Sequence, residues 1–390
     1  MLNNNFQKFF IFIRRFIDKP TLYILAFGIS IRLIVFIFLA FYPLQNVAGG
    51  SVGPTVYQTG ADINHYLNFV SIIEGEDHAM DMFINTYKKI LNNQPITDGE
   101  RYAGPVFPLM LLIFNYNINN TVLFSSFTFL IALIIYAIWQ IWLIQRLGYL
   151  LAIPFIFLFQ VTWFGIFIYP DIFYFALCTC IYFLIRYKNN WYLKSIFWIS
   201  IILVSGIRPN ALAILLFCLT VMIINKFWIS KKSRLAFGSL LFIFLLGSFY
   251  YLPYAVIEDR ITHQSYFFAD EIINNIDSIS IISQNIINKI INTGVRFFWV
   301  FGIHPSDSGN IIAFVFRLLT GCIFIIGFIK GIIQNNIDSI LIALIIVPII
   351  IFFPPSWRQI LPVMPILYYY GMLMIFNKSL LLKPNKNGIT

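Results

Sequence analysis

A handful of residues in this chain are of the types that chemistry uses: Asp62, His65 and Tyr66, then Arg101, Asp171, Arg208 and Arg358, with His304 in a further polar stretch. Carboxylates can move protons or hold cations, and the planar fork of an arginine donates two hydrogen bonds at once to a phosphate. The first of these residues open a charged island. Asp62, Glu74, Glu76, Asp77, Asp81, Asp98 and Glu100 fall between Pro43 and Gly104, seven of sixteen acidic residues in a chain that is 59% hydrophobic. Such a stretch should sit in water at a membrane surface, where carboxylates can do chemistry.

The elements that must position these residues are hydrophobic. A mean hydropathy of +0.82, with 18% aromatic and 11% charged residues, lies far outside the range of soluble globular chains and predicts an all-α, polytopic integral membrane protein. Cys178, Cys180, Cys218 and Cys322 lie in apolar runs without a CxxC pair, so neither a disulfide framework nor a zinc site is indicated. The net charge of +10 does not indicate nucleic acid, because the cations are spread through the loops that orient a membrane protein.

The run Leu22 to Tyr42 is long enough to cross, since about 20 residues span the hydrocarbon. Arg14, Arg15 and Lys19 precede it, and the run is too long for a signal-peptide core, so it reads as an uncleaved span. Phe6 to Ile17 reads as a short interfacial helix. Further spans are expected at 121–144, 150–169, 171–187, 195–207, 210–228, 235–252, 310–329, 339–353 and 359–376, about ten crossings in all. An even count puts Arg146, Arg186, Lys188, Lys194, Lys226, Lys231, Lys232, Arg234, Lys330, Lys378, Lys383 and Lys386 on the side of the N-terminus, as the positive-inside rule requires. Both termini are then cytoplasmic, in the cytoplasmic membrane, and of the acids only Asp18 and Asp338 face inward. Residues 1–390 form one membrane-embedded domain with two large outer segments, 43–120 and 253–309. Within the first, Pro105 to Tyr116 is too short to cross and reads as an interfacial or re-entrant helix.

Each candidate has a plain structural alternative. Arg32, near the middle of the first span, costs roughly 2.5 to 3.5 kcal/mol on insertion scales and must have a partner; an ion pair or snorkelling would suffice. Asp171 follows Pro170 and could simply cap a helix. In Arg208-Pro209-Asn210 the turn explains the proline, and Arg208 and Arg358 could each touch lipid headgroups. His65 stands one helical turn from Asp62 and fits either a ligand contact or an ordinary surface contact, and His304 is equally open. Glu74, Glu76, Asp77 and Asp81 read as a wet loop face.

A first span with an arginine, an Asp and a Tyr four apart after it, and then RYAGPVFPL, YPDIFYFAL, GIRPNALAIL and WRQILPVMP, resembles the GT-C superfamily of membrane glycosyltransferases. The resemblance is to the bacterial branch that is similar to protein O-mannosyltransferases and to the aminoarabinose transferase of lipid A. It runs from about Ile31 to Tyr370, least in the segment after Pro253, and the order and shared outer location of the motifs carry it. Two departures stand out: the family's Pro-Gly-Tyr-Pro is Ala103-Gly104-Pro105-Val106-Phe107-Pro108 here, and an acid that is usually Glu is Asp171.

The resemblance implies transfer of a sugar from a polyprenyl-phosphate donor to an acceptor hydroxyl, on lipid, glycan or protein, outside the membrane. Asp62 would be the base, and direct displacement with one base would invert the anomeric centre. Arg208 and Arg358, then Arg101, would stabilise the leaving phosphate, with Tyr66 and the two histidines binding substrate. Asp171 would assist by binding the acceptor or a divalent cation such as Mg or Mn; metal dependence varies in the superfamily, so no metal is assigned. Two rivals remain: a lipid-linked oligosaccharide polymerase, and a lipid or glycan transporter or flippase, which would be expected to carry ionisable groups at the midplane of broken, repeated helices.

Overall fold

The computed structural model describes residues 18–41, 88–89, 92, 106–113, 121–158, 170–185, 191–207, 210–225, 234–248, 293–303, 311–351 and 357–376. Among them every regular element is helical. In chain order these are α1 (Lys19–Phe41), α2 (Val106–Ile113), α3 (Thr121–Leu147), α4 (Tyr149–Ala152), α5 (Pro170–Leu184), α6 (Trp191–Ser205), α7 (Ala211–Ile224), α8 (Arg234–Ser248), α9 (293–300), α10 (Ile311–Ile333), α11 (Ile337–Ile351) and α12 (Met364–Ile375). The expected interfacial helix before α1 lies outside the described residues.

Three helices, α1, α3 and α10, are long and apolar enough to cross a membrane. The remaining apolar helices, of 10 to 17 residues, are shorter than the roughly 20 residues that cross the hydrocarbon: a 15-residue helix such as α5 rises only about 22 Å. The set marks a membrane-associated protein, and its surface agrees. Leu22, Tyr23, Ile34, Leu123, Leu150 and Leu319 are all more than half exposed, as lipid-facing side chains should be.

Helix ends follow local chemistry. Asp18 caps α1, its Oδ1 accepting from the Thr21 amide at 3.0 Å. Arg146 sits in the last turn of α3, where the helix dipole favours a cation, and Gly148 at φ 81° supplies the left-handed residue that ends the helix. One expected span is interrupted. Instead of a continuous helix over 150–169, α4 ends at Ala152, tightens into a 3-10 helix over Ile153–Phe157 and leaves helical geometry at Leu158. Pro154, lacking an amide hydrogen, removes a bond that the α-helix would need there. A second 3-10 helix, Trp357–Val363, leads into α12.

α3 is the central post, packing against α1, α4, α5 and α12. The Trp139 indole donates to the Thr179 hydroxyl of α5 at 3.0 Å, the Gln140 amide to the Ala152 carbonyl at 2.9 Å, and the Tyr368 hydroxyl of α12 to the Leu151 carbonyl at 2.7 Å. α10 and α12 touch backbone to backbone: a β-carbon on Gly327 would overlap the Leu367 carbonyl, and one on Gly371 would overlap the Ile323 carbonyl. α9, the last part of the expected outer segment 253–309, also lies against α10. Phe297 and Phe301 pack on Phe328 with centroids 6.0 and 5.7 Å apart, and the Phe301 carbonyl and Ile303 fill the space that Gly321 leaves.

Candidate functional site

The segments of four of the motifs meet around the first turn of α5. The Val106 amide, which opens α2 in RYAGPVFPL, donates to the Gly206 carbonyl of GIRPNALAIL at 2.9 Å. Phe107, fully buried, packs on Phe173 of YPDIFYFAL with centroids 5.9 Å apart, and both rings touch Phe124 at the start of α3. The Tyr174 hydroxyl donates to the Asn210 carbonyl at 3.1 Å, which ties α5 to the turn that begins α7. α5 also packs against the 3-10 helix Trp357–Val363 of WRQILPVMP. Four apolar motifs far apart in sequence thus share one corner, held by aromatic packing, one main-chain hydrogen bond and one from a tyrosine hydroxyl to a main-chain carbonyl.

Asp171 lies in the first turn of α5, inside this corner, and is 1% exposed. Its side chain stands at the N-terminus of the helix, where the partial positive charge of the dipole lies. Burial of an ionisable group in an apolar bundle is costly and marks a functional candidate by default. Arg358 belongs to the adjacent 3-10 helix, of which the backbone is described at that position. Asp62, His65, Tyr66, Arg101, Arg208 and His304 lie outside the described residues. Gly206 and Asn210, on either side of the Ile207-Arg208-Pro209 run, are both in the corner. Among the described residues no group of three or more His, Cys, Asp or Glu is placed to hold a metal ion.

Two polar centres lie away from this corner. Arg32, 1% exposed on α1, has its partner: the guanidinium stacks 3.6 Å above the centroid of the Tyr136 ring of α3. It donates to the Gly28 carbonyl at 3.2 Å and to the Leu158 carbonyl, where the interrupted helix ends, at 3.4 Å. Among the described residues its partners are a ring face and two carbonyls, rather than a carboxylate. Gly28 is required, since a β-carbon there would overlap the Tyr136 hydroxyl.

The second centre is Asp338, buried in the first turn of α11. Its Oδ1 accepts from the Tyr182 hydroxyl of α5 and its Oδ2 from the Tyr370 hydroxyl of α12, both at 2.9 Å. Asn336 and Ser339 form a reciprocal cap for α11: the Ser339 amide donates to Asn336 Oδ1 and the Asn336 amide to Ser339 Oγ, each at 3.0 Å. The Asn336 side-chain amide donates to the Tyr370 hydroxyl at 2.8 Å, and the Ser339 hydroxyl to the Gly331 carbonyl of α10 at 2.7 Å. The sequence signal for it was local, an Asn three residues before a Ser with an acid between them.

At the start of α1, Asp18 also accepts a short hydrogen bond from the Tyr149 hydroxyl. Burial pushes the Asp18 carboxyl up, but the hydrogen bonds from Thr21 and Tyr149 outweigh it and leave the group below the usual carboxylate range. The same bond, with some burial, holds the Tyr149 phenol above its ordinary value.

No family model, curated protein or solved structure matches this chain, so the GT-C resemblance rests on the motifs and their arrangement.

Proposed function

We propose that the chain is an inverting membrane glycosyltransferase of GT-C type, which moves a sugar from a polyprenyl-phosphate donor to an acceptor hydroxyl on lipid, glycan or protein at the outer face of the cytoplasmic membrane. The observation that carries this reading is the meeting of the Val106, Asp171, Gly206 to Asn210 and Trp357 segments in one corner, with the Asp171 carboxylate buried among them. In the proposed reaction Asp62 takes the acceptor proton as the acceptor oxygen bonds to the anomeric carbon and the bond to the phosphate oxygen breaks. Arg208 and Arg358, with Arg101, neutralise the departing phosphate. Asp171 orients the acceptor, and Tyr66, His65 and His304 complete the binding surface.

The test is transfer of radiolabelled sugar from lipid-linked sugars extracted from the host membrane to endogenous acceptors, with purified protein in liposomes. Asp62→Asn should abolish transfer while the protein still inserts and folds. Transfer retained by Asp62→Asn would remove it as the base, and no transfer by the wild-type chain would remove the reading. A transport reading draws on one observation, the helix broken at Leu158 beside Arg32; movement of a fluorescent polyprenyl phosphate across liposomes without sugar transfer would favour it.

A further inference from the structure

α5 carries Asp171 and the 3-10 helix leading into α12 carries Arg358, and α5 and α12 are both bound farther along the chain by one carboxylate. Tyr182 is eleven residues after Asp171, about 16 Å along α5, and Tyr370 is twelve residues after Arg358. Their hydroxyls reach different oxygens of Asp338. The two oxygens of a carboxylate are a fixed distance apart, so two hydroxyls bound to them are fixed relative to each other. The carboxylate is itself immobilised: the Asn336–Ser339 cap fixes the first turn of α11, and the Ser339 hydroxyl ties it to α10. The Tyr370 hydroxyl donates to Asp338 while accepting from Asn336, so its orientation is fixed from both sides.

We propose that Asp338 is a positioning residue, which sets the axial register of α5 against α12 through Tyr182 and Tyr370 and so fixes how Asp171 stands relative to the segment bearing Arg358. Other hydrogen bonds tie the two helices to different neighbours, Thr179 of α5 to Trp139 and Tyr368 of α12 to Leu151, and around the Tyr182 ring the contacts are aromatic, with Trp139, Trp142 and Phe183; the Asp338 carboxyl bonds both helices at once. Hydrogen bonds to a buried carboxyl group are short-ranged and directional, so sliding either helix strains one of them. The far end of α5 then moves with its near one, because that helix is stiffened by its own ladder, and Arg358 is joined to α12 through the short 3-10 helix Trp357–Val363. The inference rests on the reading that Asp171 and Arg358 serve one site.

Its test needs no turnover. Ile172 stands next to Asp171 and Ile360 two residues after Arg358, and both are fully buried, so their methyl groups report the corner in a methyl-labelled NMR spectrum of the detergent-solubilised full chain. Tyr182→Phe and Tyr370→Phe keep the rings and remove only the hydroxyls. Each should shift both isoleucine methyl resonances, and the double variant should shift them by less than the sum of the two, since both act through Asp338. Asp338→Asn, which keeps an acceptor oxygen for one hydroxyl, should give a smaller change. Ile172 and Ile360 resonances left at their wild-type positions in the folded tyrosine variants would overturn the proposal. In the transfer assay the tyrosine variants should lower kcat by roughly ten- to hundredfold, the scale of a 1 Å misplacement, with KM unchanged. Absence of any wild-type transfer would sink the glycosyltransferase reading and leave the methyl test standing.

Discussion

At the scale of single residues, the membrane-embedded charge is the informative case. Sequence alone showed that Arg32 needs a partner, because a bare guanidinium in an apolar span is costly. The identity of that partner was not legible, since it depends on three remote events: Gly28 leaving room for the Tyr136 hydroxyl, α3 presenting that ring, and Pro154 helping to end a helix so that the Leu158 carbonyl is free. Gly28→Ala should therefore act through Arg32, displacing the ring and costing about 1–3 kcal/mol, seen as a lowered melting temperature of the solubilised protein. Arg32→Lys should rescue little, because an ammonium lacks the flat face that stacks on Tyr136. Equal stability of Gly28→Ala and wild type would show that the ring is not tightly seated. Asp18 makes a pH prediction with a definite sign. Its folded carboxyl lies below the usual range, so its contribution is fully present above the unfolded value of about 4 and is lost as pH falls through the folded one. Tyr149→Phe removes one of the bonds that lower it, and should raise the Asp18 titration midpoint measured by carboxyl-labelled NMR.

At the scale of elements, helices were legible and their limits less so. Apolar runs predict α1, α3, α5, α6, α7, α8, α10, α11 and α12 close to where they lie, because a long apolar run in an apolar setting must satisfy its backbone groups internally, even where it carries an occasional Gly, Pro or charge. The break at Leu158 escaped because a proline inside an apolar run does not announce whether a span bends or stops. The packing of α9 along α10 escaped for a different reason. A segment with charged and polar residues around it reads as aqueous, while Phe301, 1% exposed, is buried against Phe297 and Phe328, with its carbonyl in the slot that Gly321 opens on α10. The same kind of opening joins α10 to α12 and gives a prediction for these elements. Gly327→Leu cannot be accommodated against the Leu367 carbonyl without separating the helices, so it should impair folding, seen as aggregation in size-exclusion chromatography. Gly238→Leu, on α8 with no atom within 4 Å of the position a β-carbon would take, should leave the elution profile unchanged.

At the scale of the whole molecule, the two polar centres lie at opposite ends of α5: Asp171 in its first turn, Tyr182 with Asp338 near its last. The corner around Asp171 gathers the four motifs, whereas Arg146 at the end of α3, Lys330 near the end of α10 and the Asp338 centre belong to helix ends that the charge rule assigns to the cytoplasm. The orientation decides the chemistry, because nucleotide-activated sugars are confined to the cytoplasm and an outward-facing transferase must take its sugar from a lipid carrier. Accessibility to a membrane-impermeant maleimide separates the two cases. In a cysteine-free background, a cysteine replacing Gln334 in the α10–α11 turn should be protected in intact cells and react once the membrane is opened. A cysteine replacing Ser205, beside the Gly206 carbonyl that binds Val106, should react in intact cells. The reverse pattern would turn the motif corner to the cytoplasm, and the lipid-linked donor would lose its rationale even if Asp171 proved essential.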